Sequence, residues 1–152
     1  MNLSKHFTYS EMTRTSSGLS NVPTGVSLSA LTVLCTTLLE PVRERFGPVS
    51  VHSGYRGPEV NAATPGASKH SQHMHGQAAD FHVPGHTLES VFRWIITESN
   101  LQYGQAILEG RSPGKPTWIH LSLGAPYRVG SACQQALVFD GQRYAPYRGQ
   151  GE

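Results

Sequence analysis

Residues 117–123, Thr-Trp-Ile-His-Leu-Ser-Leu, constrain the fold of this chain more than any other stretch. Ile119, Leu121 and Leu123 fall on one side of an extended backbone, and Trp118, His120 and Ser122 on the other. Period-two alternation marks a half-buried strand, apolar toward a core and polar toward solvent or a cleft. The chain must then build a sheet with one covered and one open face, and the open face carries a histidine. Residues 78–83 repeat the pattern, with Ala79, Phe81 and Val83 on one side and Asp80 and His82 on the other. An acid and an imidazole are thus destined for the same open face.

The covering layer is also legible. From Ser27 the apolar residues fall at Leu31, Leu34, Cys35, Leu38, Val42 and Phe46, the spacing of an amphipathic helix, and Gly47 suits its end. Pro41 interrupts that stripe, so a kink or break is expected there. Thr87 caps a second helix running to about Ser99, with Leu88, Val91, Phe92, Ile95 and Ile96 as its apolar stripe. Short strands are expected at 49–53, 105–109 and 136–140, the last ending in the hairpin signal Asp140-Gly141. A brief helix is expected at 58–63, and loop at 64–72. Residues 1–25 form a lead-in that wraps the core, with Ser10 capping a short helical turn. Residues 145–152 form a polar tail, poorly packed. The fold class is α+β: a small, mainly antiparallel sheet, helices on one face, and a cleft on the other.

A chain of 152 residues is one domain with room for a sizeable core. With 14% charged residues and a net charge of +2 it lacks the Lys/Arg blocks of a nucleic-acid binder, so no nucleic-acid partner is expected. Cys35 and Cys133 lie far apart without a CxxC neighbour and read as free thiols, not zinc ligands. No apolar run follows the opening Met-Asn-Leu-Ser-Lys-His-Phe-Thr. The expectation is cytoplasmic synthesis without a secretory signal, no stretch long enough to span a membrane, and a monomer.

Zinc favours nitrogen and oxygen donors, and a catalytic site keeps one position open. His73 and Asp80 can converge if 74–79 doubles back, which Gly76 permits. His120 supplies a third donor from the open face. Two His and one Asp make an open zinc site, but His75 rivals His73, and periodicity does not choose between them.

Ser71-x-His73-x-x-Gly76-x-Ala78-x-Asp80, followed by Trp118-x-His120, resembles the zinc D-alanyl-D-alanine carboxypeptidase family, whose fold is shared with the Hedgehog signalling domain and many bacteriophage endolysins. Ser53-Gly54-Tyr55-Arg56 with Asn61, Leu3-Ser4-x-His6-Phe7-Thr8 with Glu11-Met12, and Leu39-Glu40-Pro41-Val42-Arg43 are similar to its single-domain phage-type and bacterial cell-wall branch. The resemblance covers roughly residues 3–125. It implies one zinc ion on His73, Asp80 and His120, and hydrolysis of peptidoglycan stem peptides at bonds involving D-amino acids. Without a signal peptide, a phage or prophage endolysin is the leading expectation, reaching the wall of the host periplasm after release. A bacterial D-Ala-D-Ala-type carboxypeptidase is the nearer alternative. A non-catalytic zinc-stabilised wall-binding module is the more distant one.

Several branches of the family carry a carboxylate three residues before the last His ligand, where this chain has Thr117. Threonine cannot serve as the base. Glu109, on the strand at 105–109, is the expected substitute, against the plainer reading of a solvated acid at a hairpin mouth; His75 and His82 are lesser candidates. Arg56 is expected to bind a substrate carboxylate or stabilise the oxyanion. Ser71 and Gln77 are expected to orient ligands or substrate, and Tyr55 and Trp118 to wall the cleft unless they are core aromatics.

Overall fold

A computed structural model describes residues 1–112, 114–124 and 134–149; Cys133 lies outside them. Six strands form one mixed sheet: β1 (Ser50–Ser53), β2 (Ala78–His82), β3 (Tyr103–Ser112), β4 (Lys115–Leu123), β5 (Gln135–Phe139) and β6 (Tyr144–Pro146). Their spatial order is β1-β2-β4-β3-β5-β6. All neighbouring pairs are antiparallel except β3 and β5, which run parallel. The expected α+β class, mainly antiparallel with helices on one face, is what the chain adopts.

The alternation in β2 and β4 sets the layers. Ala79, Phe81, Ile119, Leu121 and Leu123 are buried, joined by Ala106 and Leu108 from β3. Against them pack Leu31, Leu34, Leu38, Leu39 and Val42 from the long helix and Val91, Phe92 and Ile95 from α5 (Leu88–Thr97), which follows the short α4 (Pro58–Ala62) in the chain. The lead-in adds Leu3, Phe7 and Met12, all buried. Its short helix α1 (Tyr9–Thr13) is capped by Thr8 and not by Ser10. Thr8 has Glu11 three residues on, so side chain and backbone close a reciprocal capping box that Ser10 has no partner for.

The long helix starts earlier than its apolar stripe suggests. Thr24 caps α2 (Gly25–Leu34) by accepting from the Ser27 amide. Of the expected kink or break at Pro41, the break does not occur: the helix continues to Phe46. A π-helical turn, Cys35–Leu39, precedes α3 (Glu40–Phe46), and the Glu40 amide donates to the Cys35 carbonyl five residues back. Widening the helix just before Pro41 accommodates a ring that would otherwise press on the preceding turn. Gly25–Phe46 is 22 residues long with mean hydropathy 1.5, long and apolar enough by length and composition to cross a membrane. That corrects the expectation that no stretch is; here its apolar stripe lines the core. Cys35 is buried in the π-turn, and burial, with Glu11 and Glu40 nearby, pushes its thiol up to about 12.

The hairpin predicted at Asp140-Gly141 forms, β5 pairing with β6, and Asp140 Oδ1 accepts from the amides of Gln142 and Arg143. Chain beyond it is better packed than its polarity suggests. Tyr147 Oη donates to Glu89 at 2.8 Å, and its ring meets Phe92 edge-on at 4.9 Å.

Glu40 ties the lead-in to the long helix. It accepts from Ser4 Oγ (2.6 Å), from the His6 amide (2.6 Å) and from His6 Nδ1 (2.7 Å). Burial opposes its ionisation, but these donors outweigh burial and hold its carboxyl below the ordinary 4.5. A depressed acid contributes stability that is present above its unfolded value and lost as pH falls through the folded one. Glu40→Gln should therefore cost about 1–2 kcal/mol, about 2–8 °C in Tm, at pH 7. That difference should shrink toward zero below about pH 4. Thermal melts of both proteins across pH 3–7 test this; a constant difference would contradict it.

Candidate metal centre

The site is assembled by strand register. Asp80 on β2 and His120 on β4 are direct antiparallel partners, so their side chains rise from the same face. On the far side of β4, Ile107 pairs with His120 and Glu109 with Trp118, which puts Glu109 beside the same point. The third donor, His73, comes from a single 3-10 turn, Gln72–His75, capped by Ser71, whose Oγ accepts from the His73 amide. Gly76 ends that turn at φ 70°. A side chain there would be strained by the left-handed backbone and would overlap the Ser27 carbonyl oxygen of α2. Glycine thus lets the turn double back and lie flat against the helix. Gly54 does a related job beside β1: a Cβ would overlap the Met12 carbonyl, while its own carbonyl accepts from His73 Nδ1 at 2.7 Å.

The three predicted ligands converge. His73 Nε2 lies 3.3 Å and His120 Nδ1 3.0 Å from Asp80 Oδ1. One donor atom from each of the three falls within 4.8 Å of the others. All three residues are buried. The remaining ring nitrogens are already spoken for: His73 Nδ1 donates to Gly54 O, and His120 Nε2 donates to Gln72 Oε1 at 2.7 Å. Outer partners of this kind fix the tautomer that turns the free nitrogen inward, the arrangement usual around metal-ligating histidines. The donor set therefore fits a divalent metal ion.

Charges at the centre are strongly coupled. Burial opposes the ionisation of Asp80, but the charge and hydrogen bonds of His73 and His120 outweigh it, and its carboxyl is held below the usual range. Burial likewise opposes protonation of His120, yet Asp80 and Glu109 push it above its ordinary value. Glu109 is raised, unlike Asp80: burial lifts it, aided by Asp80, and His120 only partly compensates. Its Oε1 lies 3.5 Å from His120 Nδ1 and accepts from Trp118 Nε1 at 3.4 Å.

Around these groups opens a cleft of about 960 Å³. Arg56, Ser71 and Trp118 line it. Arg56 Nη2 donates to Ser71 Oγ at 3.4 Å, and its buried Nε has no hydrogen-bond partner among the described residues. Tyr55 and Gln77 do not line it. Tyr55 is packed in the core, its amide tied to the Met12 carbonyl, and Gln77 accepts from the Leu123 amide where β2 begins. His75 is exposed and apart from the cluster, and His82 faces His52, their nitrogens 2.6 Å apart. Thr117 is exposed. Two features carried no signal in the sequence: Gln72, adjacent to a ligand but in no periodic element, and the wall formed by Leu137, Phe139 and Tyr144. The aromatics there are stacked at a tilt, ring centroids 4.4 Å apart.

Saturating divalent metal should raise the Tm of the native chain. At one hundred times the dissociation constant the gain is about 2.7 kcal/mol, about 5–11 °C. His73→Ala should show no gain in the same melts, and a full gain would remove His73 from the site. Gly76→Ala should cost at least about 1–2 kcal/mol from the left-handed backbone alone, read as a lower Tm, and should weaken metal binding as the turn is displaced.

Residues 5–122 match the family model described as Peptidase M15, and the chain belongs to that family. Comparison with curated proteins gives no match.

Proposed function

We propose that this peptidase M15 member is a zinc metallopeptidase that hydrolyses peptide bonds in peptidoglycan stem peptides or cross-links. The observation that carries the reading is the convergence of His73, Asp80 and His120 with the carboxylate of Glu109 3.5 Å from the metal-facing nitrogen of His120. Zinc on these three residues would supply the Lewis acidity that activates water and polarises the scissile carbonyl.

The chain's own groups do the rest. Glu109 takes the proton of the attacking water and passes it to the leaving amine, so it must be ionised at the start and protonated midway. Burial raises its pKa above the ordinary 4.5, which eases the protonation that this double duty requires. The Trp118 indole N–H orients one of its oxygens. Glu109 thereby fills the place left vacant by Thr117, reaching the site from the neighbouring strand. Arg56, with an unpartnered Nε and Ser71 beside its fork, binds a substrate carboxylate or the oxyanion. Its unpartnered donor also favours a second reading, removal of a terminal D-Ala, where the substrate ends in a carboxylate. An endolysin role, release to the cell wall after cytoplasmic synthesis, and monomeric action complete the proposal.

Purified peptidoglycan incubated with the zinc-loaded protein should yield new amine termini, and mass spectrometry of the fragments names the bond. Absence of cleavage with zinc bound would leave a wall-binding module. Glu109→Gln should keep zinc affinity and lower kcat by about 10²–10⁴-fold; near-native turnover would move the base elsewhere. The native kcat/KM profile should fall away on its acid side, because ionised Glu109 is the active form, and Glu109→Gln should remove that limb from the residual activity.

A further inference from the structure

The contact between His120 and Gln72 raises a question of direction. An amide offers an oxygen and an NH₂ of nearly equal shape, and only the oxygen can accept from the Nε2–H of His120. If the NH₂ faced the ring, Nε2 would have to be bare and the proton would sit on Nδ1, the nitrogen turned toward Asp80 and His73.

The neighbours of Gln72 share its orientation. Its Nε2 donates to Gln105 Oε1 on β3 at 3.1 Å, and Gln105 Nε2 donates in turn to Gln135 Oε1 on β5 at 2.8 Å. Gln105 and Gln135 are register partners on the parallel pair, and the Gln105 backbone N–H donates to Ser122 Oγ at 3.0 Å. The three side-chain amides therefore run head to tail, the NH₂ of Gln72 and that of Gln105 each directed to the next oxygen. Reversing Gln72 alone would set oxygen against oxygen at Gln105, so the three amides hold one direction together, and a metal ion on His120 Nδ1 requires the direction seen.

We propose that Gln105 is a positioning residue for the metal centre: it fixes the Gln72 amide with its oxygen toward His120, which keeps the proton on Nε2 and leaves Nδ1 free for the metal ion. The proposal rests on reading His73, Asp80 and His120 as the ligands. It extends the site to β5, since Gln135 lies beyond the residues that match the family.

The test is zinc affinity of the full chain, measured by competition with a chromophoric chelator, alongside the Tm of the zinc-free protein. Gln72→Met should weaken zinc binding by about 10–100-fold. Gln105→Met should weaken it by about 3–10-fold in the native background and not at all in the Gln72→Met background, because it acts only through that amide. Zinc-free Tm should change little in either. Gln105→Glu, which still accepts from Gln72, should restore affinity at least to the native value. Indifference of zinc affinity to Gln105→Met, or equal weakening in both backgrounds, overturns the proposal while leaving the ligands in place. A native chain that binds no zinc overturns the ligand reading and the proposal with it. Should Gln105→Met fail to fold, the exposed Gln135→Met carries the same comparison: weakening confined to the native background supports the relay, and indifference overturns it.

Discussion

The functional face depends on one pairing, Asp80 opposite His120 across β2 and β4. A shift of one residue in that register would turn one of the two side chains into the core and bring Ala79 or Leu121 to the surface in its place. What prevents it is the other side of the same strands. Phe81, Ile119 and Leu121 are fully buried beneath the helices, and exposing them would cost far more than any gain at the open face. The polar site is therefore held in place by apolar residues that never touch it. Its extreme electrostatics follow from the same fact, since neighbours locked by the core cannot move apart to relieve their charges.

Much of this was legible because alternation reports directly on which side of a strand is covered. Asp80 and His120 emerge from that pattern without reference to any relative, and so do the layer order and α5 with its Thr87 cap. His73 does not. It sits in a turn where residues two apart diverge, His73 inward and His75 outward, and only the family resemblance separated them. Two helix starts were misplaced by two residues, where an earlier threonine, Thr8 or Thr24, proved the better cap. Pro41 was read correctly as a stress on the helix but not in its resolution, because a π-turn is set by packing and not by composition. Gln72 and the aromatic wall escaped notice for a common reason: each matters only through the convergence of segments far apart in the chain.

Thr117 and Glu109 differ in their access to the metal centre. Thr117 is exposed on β4, whereas Glu109 reaches the centre from β3 as the cross-strand partner of Trp118. Neighbouring strands of a sheet present side chains to a common point from either direction. The carboxylate beside His120 therefore comes from the strand next to the one that carries His120. Linear spacing is a poor guide to such an arrangement.

Cys35, sealed inside the π-turn, has its own consequence. Thiol oxidation and disulfide exchange proceed through the thiolate. With its pKa pushed up to about 12, that form amounts to roughly one molecule in 10⁵ at neutral pH, and the described residues seal the side chain from solvent. This position is therefore indifferent to redox potential: passage from a reducing to an oxidising compartment changes nothing at Cys35, and the long helix needs no reductant to keep its packing.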